Sequence, residues 1–522
     1  MAFASLEFIG FCLAVFLLYF VLPMKARPWV LLVSSFVYIA TFGVVPMLVF
    51  LATVAAAYGF GLWIEQAKNL PLKEGATGEE KKAHRARVKH LTRVRLGCGF
   101  VLILGALVFL KYGGFIAENV NALLNKDLLS TKSLLLPLGI SFYSLQLCGY
   151  LMDIYRGKCP ADHNFLRFVL FSSWFPQILQ GPIHRYNDLA AQLFEGHPFD
   201  WQRMKRGVLR MVWGFFKKLV IADRAAIFVS KVLTADSGYT GLYIVLGILL
   251  YGFQIYGDFS GGMDIACGIS EVLGIRLTEN FERPYLSKSV AEFWQRWHIT
   301  LGGWMRDTLF YPLALSKSAR KLGQWLRKHG HSTAAKTLPP SLATLLVFFV
   351  VGVWHGADWK YFVYGAYQAI FVASASLLEP FYARVREKLH MPLTSKGLNV
   401  LRILRTYLLI SFGRFFAEAA SLSAAFTLIR DSLRGLTPSI LWNGGMVGFL
   451  PSEWDWLVLL IAMLMLVAVD LCQERGIGLR TRLEKRGHVI RWAVYIFAIM
   501  AVLVFGIYGQ GFDSSNFIYA QF

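Results

Sequence analysis

Residues 345–359 read LLVFFVVGVWHGADW. About ten apolar residues, enough for half a bilayer crossing, run up to a single imidazole, His355. A second histidine, His298, also follows a tryptophan, Trp297, in a stretch rich in aromatic residues. An ionisable side chain inside hydrocarbon is expensive, so it marks a functional site by default. Imidazole titrates near neutrality and serves as proton acceptor, proton donor or metal ligand. The plainer alternative makes both histidines hydrogen-bonded packing residues. The other histidines carry less weight: His84, His90, His329, His331 and His488 sit among Lys and Arg and read as loop or boundary residues.

The whole chain has the same character. Of its 522 residues 56% are hydrophobic and 16% charged, with a mean hydropathy of +0.50. Soluble chains carry about 25% charged residues, so this is a polytopic membrane protein. The net charge of +21 does not indicate nucleic acid, because the basic residues fall in short blocks between apolar runs. Residues 65–96 carry nine Lys/Arg against four acids, 316–337 six against none, and 473–491 six against two. The positive-inside rule reads these as cytoplasmic loops, suited to contact with anionic lipid or a phosphorylated donor. The six cysteines are scattered, with no CxxC and no paired histidine spacing, which argues against a metal site or a disulfide framework.

Candidate spans fall at 6–24, 29–44, 47–64, 96–116, 133–152, 164–182, 206–232, 239–257, 291–315, 338–354, 360–379, 400–430, 440–450, 454–472 and 489–509. Some of these are expected to be re-entrant or interfacial, giving an all-α bundle of about 11–14 spans or half-spans. The Gly-rich stretch 259–277, with Asp264 and Glu271 inside it, reads as a short or broken helix. Pro137, Pro176, Pro182, Pro284 and Pro312 mark expected breaks. The first apolar run lacks preceding positive charge and is expected to be retained rather than cleaved. Basic residues after span one and before the last span place both termini outside. The organisation expected is N-terminal spans over 1–133, a catalytic core over 134–380, C-terminal spans over 381–509 and an extracytoplasmic tail over 510–522.

The core holds ENFERPYLSKSVAEFWQRWHITLGGWMRDTLFYPL, residues 279–313. It mixes Glu292, Arg296, His298, Arg306 and Asp307 with Trp294, Trp297 and Trp304. On a continuous helix Trp294 and His298 would share a face and Arg296 would point elsewhere. Such a segment suits an interfacial helix or the wall of a polar tunnel; an aromatic belt with snorkelling arginines is the structural alternative. If the two histidines work together, they converge on one tunnel with a cytoplasmic mouth near the basic blocks. Their rings should then lie within about 15 Å of each other, because acid–base partners act at short reach.

FWQRWHITLGGWMRDTLFYPL and VVGVWHGADWKYFVYGAYQ resemble the two signature segments of the membrane-bound O-acyltransferase (MBOAT) family. LPLGISFYSLQLCGYLMDIYRG (136–157), FPQILQGPIHRY (175–186) and FQIYGDFSGGMDIACGISEVLGIRLTENFERPYLS (253–287) are similar to its bacterial branch for alginate and other polysaccharide O-acetylation. The resemblance covers about 134–380 closely and implies an MBOAT-like helical bundle around a central tunnel. It also implies acyl transfer from a cytoplasmic thioester, an acyl-coenzyme A or an acyl-carrier protein. His355 matches the family's principal catalytic histidine and His298 the second active-site position. The chemistry agrees, since transfer to a hydroxyl needs a base for the hydroxyl proton. His298 would orient the acceptor or hydrogen-bond the thioester oxygen.

The stretch FIYAQF (517–522) resembles a short motif of some bacterial family members, whose tyrosine, here Tyr519, is implicated as an acyl carrier. A membrane-interface anchor is the alternative reading of such a stretch. In the D-alanylation system of teichoic acids the motif sits on a separate small peptide, so its presence here favours the polysaccharide branch. The expected activity is transfer of acetyl from acetyl-coenzyme A, a donor substrate, to an extracytoplasmic polysaccharide by way of an SGNH-type extracytoplasmic partner. The expected setting is the bacterial cytoplasmic (inner) membrane. No metal, permanently bound cofactor or nucleic acid is implied. D-alanyl transfer to teichoic acid is the alternative within the family, and a transporter without covalent chemistry the alternative outside it.

Overall fold

The computed structural model describes residues 1, 3–131, 137, 139–178, 180–388, 390 and 395–508. Among them the chain is helical, and its one strand-like feature is an antiparallel bridge between Phe281 and Trp297. Six described helices are long and apolar enough to cross a membrane: Val44–Lys68, Gly78–Leu124, Leu242–Leu273, Ser332–His355, Trp454–Glu474 and His488–Phe505. A seventh span results if Trp359–Leu377 and Glu379–Lys388, bent by 60°, count as one. Leu6–Val21 and Arg27–Ala40 are shorter helices, of 16 and 14 residues.

Several sequence expectations change here. Residues 291–315 are not one span: Val290–Arg296 ends before His298, and Ile299–Met305, Arg306–Phe310 and Tyr311–Ala314 follow. Trp294 and His298 therefore share no helix face. His298 is left-handed (φ 49°), and the helical ladder cannot pass through that conformation. Residues 440–450 hold a 3₁₀ turn, Pro438–Leu441, not a span. The Gly-rich stretch after 259 is not a break, because it continues the 32-residue helix Leu242–Leu273. Nor is all of the basic block 65–96 loop. A capping box starts a helix inside it: the Thr77 hydroxyl accepts from Glu80 N–H at 3.3 Å, and the Glu80 carboxylate accepts from Thr77 N–H at 2.7 Å. Likewise Lys317–Lys328 in the block 316–337 is an amphipathic helix with Leu326 buried and Trp325 exposed.

The chain forms two compact units, residues 1–208 with 266–278, and residues 209–265 with 279–522. In the first, Val44–Lys68 and Gly78–Leu124 pack on the almost wholly buried helix Ile140–Arg156. Small residues allow this close approach, as is usual in membranes: Gly61 faces the Tyr150 ring and Gly99 faces Leu151.

In the second unit, residues 209–232 lie along the helix that reaches Ile265. Gly214, Gly257 and Gly261 form the seam, where an added Cβ would come within 2.6–2.8 Å of the facing backbone. A π-helical turn, Phe216–Ala222, carries the adjacent lysines Lys217 and Lys218, both buried. Lys217 pairs with Asp264 at 2.7 Å, and Lys218 with Asp258 at 2.6 Å and Asp223 at 2.9 Å. Buried charges survive only with such partners.

The two helices on either side of His355, Ser332–His355 and Trp359–Leu377, pack along their length. They meet at Gly352 and Gly365: a Cβ at Gly352 would lie 2.4 Å from the Tyr361 carbonyl oxygen and 3.1 Å from Gly365 Cα. Backbone cannot yield cheaply there. Gly352→Ala is expected to destabilise the protein by about 1–3 kcal/mol, the usual cost of overpacking. Thermal unfolding of purified full-length protein in detergent should show a lowered midpoint, whereas Gly105→Ala, which meets open space, should leave the midpoint unchanged.

Candidate active site

His298 sits at the junction of two short helices, held by a two-sided clamp. Residues 280–282 run beside 296–299: Glu282 N–H donates to Arg296 O at 2.9 Å, and Ile299 N–H to Asn280 O at 3.0 Å. This pairing, together with the Phe281–Trp297 bridge, fixes the left-handed turn at His298. The following helix, Ile299–Met305, gets no cap from the His298 side chain. Asn280 supplies one instead, because its Oδ1 accepts from the Thr300 N–H at 2.9 Å and the Thr300 hydroxyl at 3.0 Å. The same oxygen lies 3.3 Å from His298 Nδ1. Both His298 and Asn280 are buried.

His355 is the last residue of its helix and is buried among aromatic rings. Its imidazole lies 5.2 Å from the Trp354 ring, 5.8 Å from Tyr364 and 6.4 Å, stacked, from Tyr361, centroid to centroid. Trp354 joins the two histidines, with its ring 5.8 Å from that of His298. The two imidazoles can thus be no further apart than these two ring-to-ring steps together, inside the reach expected from the sequence. Tyr519 lies outside the described residues.

The sequence led to one tunnel; the structure has two cavities near the pair, a smaller one lined by His355 and a larger one lined by neither histidine. The larger, about 630 Å³, is bordered by Asn280, the ion pairs of Arg210, Lys217 and Asp264, and Arg480 of the basic block 473–491. Its other side is apolar, with Trp213, Met465 and Phe497. The smaller, about 30 Å³ and roomy enough for about one water, touches His355, Trp297, Tyr364 and Arg414. Packed rings separate the two: Phe281 and Tyr256 border the larger cavity, and their rings lie 4.9 and 6.1 Å from that of Trp297 on the other.

The remaining polar residues picked from the sequence have structural partners. Arg296 bridges Glu292 at 2.7 Å and Glu474 at 2.9 Å, and Trp294 donates to Gln368 at 3.2 Å. Arg306 is largely exposed, 3.8 Å from Asp307.

Sequence reasoning missed Arg414. This buried guanidinium donates to the Tyr285 hydroxyl at 2.7 Å and to Ser411 Oγ at 3.3 Å, and lies over the rings of Tyr285 and Tyr407. Its hydrogen-bond partners are neutral, so its charge is available to the small cavity beside His355. The signal was present: one arginine inside the apolar run TYLLISFGRFFA, 406–417. Asn280 was missed because an amide in a loop carries no such signal. His184 is the opposite case. It too is buried, but its Nδ1 meets Gln177 Oε1 and Pro182 O at 3.0 Å, and its Nε2 accepts from the Thr278 N–H at 3.0 Å. With both nitrogens committed to the fold, His184 is structural.

Arg414→Met should cost about 1.5–3 kcal/mol of stability, the worth of hydrogen bonds to a charged group. Arg414→Lys should recover only part, since a point ammonium cannot reproduce the planar fork stacked on tyrosine. Thermal unfolding monitored by tryptophan fluorescence should rank wild type above Lys above Met.

Comparison with known proteins identifies the family. The model of "MBOAT, membrane-bound O-acyltransferase family" matches residues 160–412, which include both histidines. The "probable alginate O-acetylase AlgI" of Azotobacter vinelandii is 32% identical over 432 residues, 82% of this chain and 77% of that protein. The peptidoglycan O-acetyltransferase of Helicobacter pylori is 28% identical over 72% of each chain. The teichoic acid D-alanyltransferase of Bacillus subtilis is 26% identical over 53% of this chain and 67% of its own length. With apolar helices long enough to cross a membrane and two histidines joined through Trp354 inside the matched region, the chain belongs to the membrane-bound O-acyltransferase family and is a multi-pass membrane O-acyltransferase.

Proposed function

We propose that the protein moves acetyl groups from acetyl-coenzyme A at the cytoplasmic face to an extracytoplasmic polysaccharide, in a bacterial inner membrane with both termini outside. The observation that carries this reading is the convergence of His298 and His355 around Trp354, with Asn280, which contacts His298, in the wall of a cavity of about 630 Å³. That volume lies in the range of about 300–1,000 Å³ usual for small-molecule sites. Its two-sided lining suits an amphipathic thioester arm, and Arg480 places one border in a basic block that suits the donor's phosphates. The similarity to alginate and peptidoglycan O-acetylating enzymes supports a polymeric acceptor.

In the proposed reaction a hydroxyl oxygen attacks the thioester carbonyl. His355 takes the hydroxyl proton as the new C–O bond forms. The tetrahedral intermediate collapses, the C–S bond breaks, and the imidazolium returns its proton to the departing thiolate. Arg414, in the wall of the His355 cavity, offers positive charge to the developing oxyanion. His355→Ala should lower turnover by roughly two orders of magnitude or more, the scale of lost general-base catalysis, and His298→Ala should lower it less. Radiolabelled acetyl-coenzyme A and purified protein in nanodiscs provide the assay. Near-normal transfer by well-expressed His355→Ala protein would overturn the assignment. Turnover with a D-alanyl carrier protein and none with acetyl-coenzyme A would move the reading to teichoic acid D-alanylation.

The first acceptor in this scheme is the Tyr519 hydroxyl. A phenyl ester is a more activated donor than an alkyl ester, which suits an intermediate handed on to an extracytoplasmic SGNH-type partner. A phenol, with a pKa near 10, needs a base such as His355 to act as a nucleophile near neutrality. Tyr519→Phe should preserve expression and abolish delivery to the polymer. Mass spectrometry of the C-terminal peptide, with the downstream partner deleted, should find acetyl on Tyr519; full polymer modification by Tyr519→Phe would reduce the motif to a membrane anchor.

A further inference from the structure

Resting on this acyl-transfer reading, we infer that Asn280 is a positioning residue that locks His298 in one tautomer, protonated on Nδ1 with a bare Nε2, so that His298 accepts a hydrogen bond from the acceptor hydroxyl and donates none to the thioester oxygen. The backbone N–H of Thr300 can only donate, so the Asn280 atom 2.9 Å away is its carbonyl oxygen, and this fixes the orientation of the terminal amide. The amide nitrogen then points the other way, 3.6 Å from the Met263 sulfur. An amide oxygen has only lone pairs to offer, so His298 Nδ1, 3.3 Å away, carries the hydrogen. A neutral imidazole has a single N–H. With it on Nδ1, the lone pair is on Nε2, and the ring's second nitrogen is an acceptor.

This conclusion holds while the ring is neutral. Burial, and next the nearby His355, push the His298 pKa down to about 3. The rings against it, Phe259 and Trp354, are uncharged. Behind Asn280, on the helix that carries Met263, the charge of Asp264 is balanced by Lys217 and Arg210. The arrangement also explains the clamp around His298. The backbone oxygen of Asn280 holds Ile299, its side-chain oxygen caps the helix at Thr300, and the same oxygen orients the ring.

Two measurements on the full chain test the inference. The first is nitrogen NMR of protein labelled in its histidines, with the His298 signals identified by their loss in His298→Gln. Wild type should show a protonated Nδ1 and a bare Nε2; a protonated Nε2 would overturn the inference. This readout needs no turnover, so it stands even if acetyl-coenzyme A proves not to be the donor.

The second is the pH profile of acetyl transfer. Asn280→Asp keeps the accepting oxygen but adds a negative charge, which favours imidazolium and raises the His298 pKa. Activity, which needs the neutral ring, should persist at about pH 8 and fall as pH drops, with its acid limb displaced upward by about one unit or more from wild type. Asn280→Leu removes the oxygen and should lose about tenfold in rate, the equivalent of one hydrogen bond. Superimposable profiles for Asn280→Asp and wild type, in proteins of equal thermal stability, would make Asn280 only a helix cap and overturn the proposal. If wild type transfers nothing, the acyl-transfer reading fails and the NMR result alone decides the tautomer.

Discussion

The site depends on one backbone conformation, the left-handed turn at His298. A non-glycine residue there costs energy and persists only when its surroundings over-determine it. Here they do. Main-chain hydrogen bonds from Glu282 and Ile299 hold the two flanks, and Asn280 caps the helix that starts immediately after. A continuous helix through 291–315 would carry His298 past the site on a regular spiral. The break leaves it packed against Phe259 and Trp354, one indole away from His355. Local strain is held by hydrogen bonds that are shielded from water, where such bonds are strongest.

The charged residues follow from the same economy. Isolated charges do not survive in a membrane interior, so Lys217, Lys218, Asp258 and Asp264 form closed ion pairs beneath the glycine seam. The glycines bring the helix backbones close enough for those pairs to form. Arg414 departs from the pattern, since its hydrogen-bond partners are hydroxyls and aromatic faces. A cation held in that way keeps an outward field, which fits a reaction that develops negative charge beside His355.

Much of the site was legible in the chain. Trp354 and His355 at the end of an apolar run, and Trp297 and His298 in a polar-aromatic segment, stand out because ionisable groups are rare in hydrophobic sequence. By the same signal Arg414 was readable and was passed over. His184 is buried, and both its nitrogens are committed to the surrounding backbone and Gln177. Asn280 was out of reach: an amide in a loop gives no sign that it caps a helix starting nearly twenty residues on.

The amino-acid sequence by itself determined that this chain is helical, lies in a membrane and carries two histidines in apolar and aromatic surroundings, because hydrophobicity and residue type are properties of the residues alone. Tertiary structure decided where helices break and which glycines are seams. The stretch 259–277 looks like a short or broken helix in sequence, yet up to Leu273 it continues one long helix, in which Gly261 packs on Gly214 and Lys217. Residues 291–315 look like a span and break at His298, since Asn280, from another segment, satisfies the backbone that the break exposes. A helix continues or stops according to whether its freed N–H and C=O groups find partners, and those partners are distant in sequence.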